Sequence, residues 1–154
     1  MISPVANQGD PFFRKHVEGL SQIDPCHRAW IEIDPQAIEF NARSLKQIIP
    51  SESLLMAVVK ADGYGHGAET VARAAIRGGA SYLGVATLQE GIDLRIAGIK
   101  IPILILGNLI NDKELKSCLE WDIMPTISSL REVYLCEKVS KDRGKTFDLH
   151  LKVD

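Results

Sequence analysis

The chain has 154 residues, 45% hydrophobic and 25% charged, with a formal net charge of -2 and no basic block. That balance is ordinary for a globular protein and argues against a nucleic-acid partner. No apolar run approaches the roughly 18 residues needed to span a bilayer, and the start "MISPVANQGDPFFRKHVEGLSQ" lacks the apolar core of a secretory signal. A cytoplasmic protein is expected, with no membrane partner. Cys26, Cys118 and Cys136 show no CxxC spacing. They are expected to be free thiols, and no metal is expected.

Residues 1–28 hold scattered Pro and Gly with little periodicity, which predicts a loosely ordered leader. Regular structure is expected from residue 29 onward. Trp30 to Ile33 reads as a short strand. Asp34 offers a helix N-cap and Pro35 fits the first helical position. Ile38, Ala42, Leu45 and Ile49 then recur at helical spacing until Pro50. "LLMAVV" (54–59) is a short continuous apolar run, the signature of a buried parallel strand. A helix from Ala68 stops at Gly78-Gly79. "SYLGVA" is the next strand, and Thr87 with Glu90 forms a capping box for a helix ending near Gly98. "IPILILG" is a strand, and Asn111 caps a helix through Leu119. "IMPTI" is a strand, and Ser129 with Glu132 forms a second capping box before a helix ending near Gly144. "FDLHLKVD" is the last strand.

Alternating strands and helices predict βαβ units and a parallel sheet. After the Trp30 strand there are five strands joined by four helices. Two architectures satisfy that count: an open doubly wound domain, or part of a (β/α)8 barrel, which needs eight strands and about 250 residues when closed. Asp154 follows directly on a strand. The reading made here is a truncated barrel, an amino-terminal fragment.

"MAVVKADGYGHGAETVARAA" (56–75) runs an apolar strand into Lys60, then places Gly63, Gly65 and Gly67 within five residues. A lysine at a strand end is ordinarily solvated, its stem covering apolar surface. In a parallel α/β protein, however, the carboxyl ends of the strands line the site. Side-chain alternation puts Met56 and Val58 on the face of Lys60, so the ammonium would rise from an apolar floor. Burial there would disfavour its charged form and expose a nucleophilic amine, as a Schiff base requires. The glycines would permit positive φ and close backbone approach of a ligand. They match neither GxGxxG nor the Walker pattern. Tyr64 is either a donor to a ligand phosphate or an aromatic packed on the helix, and His66 is read as a structural hydrogen bonder.

"AVVKADGYGHGA" closely resembles the pyridoxal-phosphate lysine motif of the bacterial alanine racemase family. The resemblance extends from "AWIEIDPQAIEFN" through "GVATLQEGIDLRIAGI", "PILILG" and "PTISS" to "LHLKVD", nearly everything after residue 28. It implies a pyridoxal 5'-phosphate-binding (β/α)8 barrel with about five of eight strands present and the carboxyl-terminal β domain absent. It implies that Lys60 binds the cofactor covalently and acts as the base on one face of the substrate Cα. Tyr64 corresponds to a tyrosine that hydrogen-bonds the cofactor phosphate, and Val58 and Leu106 to apolar positions near the cofactor. Lys152 corresponds to a lysine carbamylated in several members.

In "FDLHLKVD" the apolar residues Phe147, Leu149, Leu151 and Val153 alternate with polar ones. If the apolar set faces the helices, Lys152 points inward. A lysine paired with Asp154 or a neighbouring strand's acid is the alternative. The activity implied is interconversion of L- and D-alanine, the latter for peptidoglycan, by a homodimer. The arginine that Lys152 would orient and a second base from the β domain are not among these residues, so little activity is expected of this chain alone. Two further readings stay open: a racemase of broader amino-acid specificity, and a pyridoxal-phosphate barrel protein that does not racemise.

Overall fold

In the computed structural model, residues 31–109 and 111–153 are described. Helix α1 (Pro35–Ile48) starts as its sequence dictates. The Asp34 carboxylate accepts from the N–H groups of Gln36 and Ala37 at 2.8 and 3.2 Å, with Pro35 in the first turn. Four βα units and a fifth strand follow in strict order: β1 (Met56–Val58), α2 (Ala68–Arg77), β2 (Tyr82–Val85), α3 (Leu88–Ile96), β3 (Ile103–Asn108), α4 (Asp112–Trp121), β4 (Met124–Ile127), α5 (Leu130–Arg143) and β5 (His150–Leu151). Both expected capping boxes form, Thr87 with Glu90 at α3 and Ser129 with Glu132 at α5. Asn111 caps α4 by accepting from the Glu114 N–H.

All four strand pairings are parallel, and the order is β1-β2-β3-β4-β5. A doubly wound sheet reverses its strand order at a switch point, whereas consecutive parallel strands in sequence order are a barrel wall. Burial agrees. Val59, Leu83, Val85, Ile103, Ile105 and Ile127 are at most 5% exposed and join one cluster with residues such as Leu94, Leu115 and Val139 of the helices. The alternate residues point to the other face. A Cβ added to Gly84 would lie 3.3 Å from both Met56 and Leu106 and 3.4 Å from Val58. Helices cover one side of an unclosed barrel segment, and the lumen side stays open. Each fully buried Leu or Ile in the covered layer contributes about 1.5–3 kcal/mol.

Arg95 secures the amino-terminal rim. Its guanidinium, with a side chain only 9% exposed, donates to the carbonyls of Ile99, Ile101, Trp121 and Asp122 at 2.6–3.0 Å. Burial pulls its pKa down from the usual arginine value, with Asp122 acting in the opposite direction. Cys118 and Cys136 are buried free thiols, as expected. Burial foremost pushes the Cys118 thiol up to about 12, and burial likewise raises Cys136.

Two expectations need correction. Ile31–Ile33 join no ladder among the described residues, so the strand read there is not formed. Apolar alternation marks a capacity to pair, and the partner must also be in place. Trp30, Cys26 and the leader expected over residues 1–28 lie outside the described residues. The last strand is also short. Only His150 and Leu151 pair with β4, and of the apolar set Phe147 alone packs on the core, while Leu149, Leu151 and Val153 are exposed. No described helix covers them.

Candidate active site at the carboxyl end of β1

The Val59 N–H donates to the Gly84 carbonyl at 2.8 Å, continuing the β1–β2 ladder one residue past the strand. Lys60 follows and leaves the sheet. It is half-buried rather than enclosed, which corrects the expectation of a dry amine. Its ammonium forms no ion pair among the described residues. Val58 and Leu106, each 38% exposed, share the open face around Gly84, as the alternation of the strands requires. Lys60, Val58 and Leu106 are therefore brought to one end of the sheet.

Beyond Lys60 the chain does something glycine spacing alone did not announce. Ala61, Asp62, Gly63 and Tyr64 are all left-handed, with φ between +51° and +62° and ψ between +36° and +52°. Together they form a left-handed turn over Lys60–Gly65, closed by the Gly63 N–H donating to the Val59 carbonyl at 2.9 Å. Left-handed geometry costs L-residues about 1–2 kcal/mol each, so Ala61, Asp62 and Tyr64 carry strain that the surroundings must hold. Gly63 could be no other residue without disturbance, since an added Cβ would lie 2.8 Å from Val71 Cγ2. Gly65 and Gly67 take φ of +83° and +84°, and a Cβ on Gly65 would meet nothing within 4 Å. That side of the turn is open space.

The strain has identifiable supports. The Asp62 carboxylate accepts from the Ala68 N–H at 2.8 Å and so anchors the turn to the start of α2. His66 Nδ1 lies 3.1 Å from the carbonyls of both Gly63 and Tyr64. Two facing carbonyls require that nitrogen to carry the proton, so His66 is the structural hydrogen bonder expected. Tyr64 is 59% exposed, in place of the alternative packing on the helix, and its ring stands on the outside of the turn.

Lys152 is exposed and lies just beyond β5, where its N–H donates to the Ile127 carbonyl at 2.8 Å. The pairing of His150 with Thr126 and Leu151 with Ile127 places His150 on the lumen side. Lys152, two residues on, continues that side. It stands at the opposite edge of the sheet from Lys60, four inter-strand steps of about 4.8 Å away. The larger clefts lie elsewhere. Volumes of about 560 and 630 Å3, which share Asp122, Met124, Phe147 and Asp148, sit at the amino ends of the strands, the rim that in barrels serves stability.

Residues 33–154 match the family described as alanine racemase, N-terminal domain. The chain belongs to that family. It is 56% identical over 135 residues to an alanine racemase of Prochlorococcus marinus, covering 88% of this chain and 35% of the relative. It is 45% identical over 127 residues to one of a Synechocystis species, covering 82% and 34%. Among solved structures, an alanine racemase of Clostridium difficile 630 superposes with a TM-score of 0.77 at 33% identity, covering 85% of this chain and 34% of that one. The alanine racemase from E. faecalis gives 0.71 at 38% identity, covering 79% and 33%. The chain thus spans about a third of the length of the curated relatives it matches.

The racemase-family barrel wall also contains contacts that motif reading did not reach. Glu90 Oε1 accepts from the Ala61 N–H at 2.7 Å, across 29 residues of sequence. Glu132 Oε1 accepts from Asn108 Nδ2 at 3.0 Å, and that amide also donates to Ser128 Oγ at 2.9 Å. The capping-box pattern located both glutamates, but their second oxygens reach the preceding strand tip, which no local spacing encodes.

Proposed function

We propose that residues 29–154 form the amino-terminal part of a pyridoxal-phosphate-dependent alanine racemase that interconverts L- and D-alanine. The observation that carries this reading is Lys60, a half-buried amine with no ion-pair partner among the described residues, at the carboxyl tip of β1. It lies between an apolar floor and an open left-handed turn. The family relationship supports the same reading.

The residues present fit the cofactor. Lys60 Nζ would hold it covalently, the Tyr64 hydroxyl would donate to its phosphate, and Val58 and Leu106 would lie under its ring. Gly65 leaves room for a ligand against the backbone, since a side chain there would meet only open space. Pyridoxal phosphate supplies the electron sink that lets an amino acid lose its Cα proton. Once the substrate amine takes its place, the freed Lys60 Nζ would remove or deliver the proton on its own face of the carbon, and inversion needs a second acid–base group on the opposite face. Lys152 belongs to the far side of the lumen. In an eight-strand circuit β1 and β5 stand half a turn apart, so inner residues at their tips face each other. There Lys152, unmodified or carbamylated, would orient groups around the substrate. D-alanine supply for peptidoglycan, a cytoplasmic location and homodimeric assembly complete the reading. No described helix is long and apolar enough to cross a membrane, which is consistent with that location.

The test is capture of pyridoxal phosphate. Wild-type protein is incubated with the cofactor and reduced with borohydride, and the adduct is located by mass spectrometry. A visible absorption band and a single dominant adduct on Lys60 are expected, both lost in Lys60→Ala. A band that persists in Lys60→Ala removes the lysine from its role.

A further inference from the structure

A capping-box glutamate normally completes its work by returning to the backbone N–H of its own N-cap. Glu90 does this with one oxygen, Oε2, which accepts from the N–H groups of Ala86 and Thr87 at 2.7 and 3.1 Å. Its other oxygen accepts from Ala61 at 2.7 Å. Ala61 immediately follows Lys60 and opens the left-handed run, with φ of +51°. At the start of any helical turn the first N–H groups have no carbonyl behind them to accept. Here an anion takes the bond, and hydrogen bonds to charged groups are roughly twice as strong as neutral ones.

We infer that Glu90 is a positioning residue for Lys60: its carboxylate bridges the peptide after the lysine to the tip of β2 and so aims the amine. The inference rests on the reading of Lys60 given above. The Lys60–Ala61 peptide plane sets both the ψ of the lysine and the φ of the strained alanine. Tying its N–H to an oxygen whose partner holds Ala86 and Thr87 fixes the lysine backbone against the neighbouring strand. Glu132 repeats the device between β3 and β4. Its Oε2 accepts from Ser128 and Ser129 N–H at 2.6 and 2.8 Å, and its Oε1 accepts from the Asn108 side chain. At β3 the donor is a rotatable amide, which constrains nothing in the backbone. At β1 it is the main chain beside the lysine. Only a carboxylate can serve both arms, because a glutamine amide has a single acceptor oxygen.

The experiment compares wild type, Glu90→Gln, Glu90→Asp and Thr87→Ala in the full-length protein. Thr87→Ala removes the hydroxyl that accepts from the Glu90 N–H at 3.3 Å and weakens the same helix start, yet leaves the bridge intact. Two quantities are read: hydrogen exchange of the Ala61 amide, resolved by fragmentation mass spectrometry, and the rate of borohydride-trapped pyridoxal-phosphate capture at Lys60 across pH. Losing a charge-assisted bond predicts about tenfold faster exchange and about tenfold slower capture in Glu90→Gln. Glu90→Asp keeps both oxygens but is one methylene too short to span, so it should behave alike and answers for any folding failure of Glu90→Gln. Thr87→Ala should stay within about threefold of wild type in both. Wild-type rates in the Glu90 variants, or equal losses in Thr87→Ala, overturn the inference. If wild type traps no cofactor at Lys60, the functional reading fails, and the Ala61 exchange rate alone decides the bridge.

Discussion

The connection after β4 and the connection after β1 solve the same problem in different ways. From Ile127 the chain enters α5 through Ser128 and Ser129 alone, with a capping box and no left-handed residue. From Val58 it takes the segment Val59 to Gly67 to reach α2, passing through three left-handed non-glycine residues and three left-handed glycines. A strand can therefore meet a helix in this wall at almost no conformational cost. The longer route is not needed for connection, and its strain of about 1–2 kcal/mol per non-glycine residue is held by Asp62, Glu90 and His66. What it delivers is a lysine beside an open turn.

The comparison breaks most sharply at Gly63. Gly63→Ala combines left-handed strain with a 2.8 Å approach to Val71, and a loss of about 3 kcal/mol is expected by chemical denaturation. Gly144→Ala, also left-handed at φ +62° but with nothing within 4 Å, should cost only about 1 kcal/mol. A similar loss in both would mean that the fit against Val71 contributes nothing. On the plain side, Ser129→Ala should cost about 1 kcal/mol through loss of the α5 cap. It should leave pyridoxal-phosphate capture unchanged, and slower capture would show the two connections to be coupled. Ala61→Gly should be neutral or stabilising by about 0.5 kcal/mol, since strain relief exceeds the unfolded-state entropy of glycine. A loss of stability there would deny the strain.

The smallest effect is that of pH. Hydrogen bonds hold the Glu132 pKa below the usual glutamate value, the Ser128 N–H contributing most and Ser129 next. The stability it provides is thus fully present above about pH 4.3 and is lost as pH falls through the lower folded value. The difference in thermal midpoint between wild type and Glu132→Gln should shrink over that acid range. A difference that stays constant would remove the carboxylate from the cap.

The order of strands and helices was legible because apolar runs, N-caps and terminal glycines all act locally. Asp34, Thr87, Asn111 and Ser129 each cap the helix that their position announced. Strand ends were less legible, since Leu54 and Leu55 continue the apolar run but pairing starts at Met56. At the site, Lys60 and the positive φ of the glycines could be read from sequence. The left-handed state of Ala61 and Tyr64 could not, because neither residue type favours it and the groups that enforce it act from outside the segment. The long arm of Glu90 was hidden for the same reason.

The buried thiol of Cys118, held at about 12, has a practical consequence. Alkylating reagents attack the thiolate, so in the intact chain this sulfur is chemically silent near neutral pH. Any labelling there must pass through a transient opening of the layer between α4 and the sheet. The rate of maleimide uptake at Cys118 then works as a clock for breathing of the wall beneath α4.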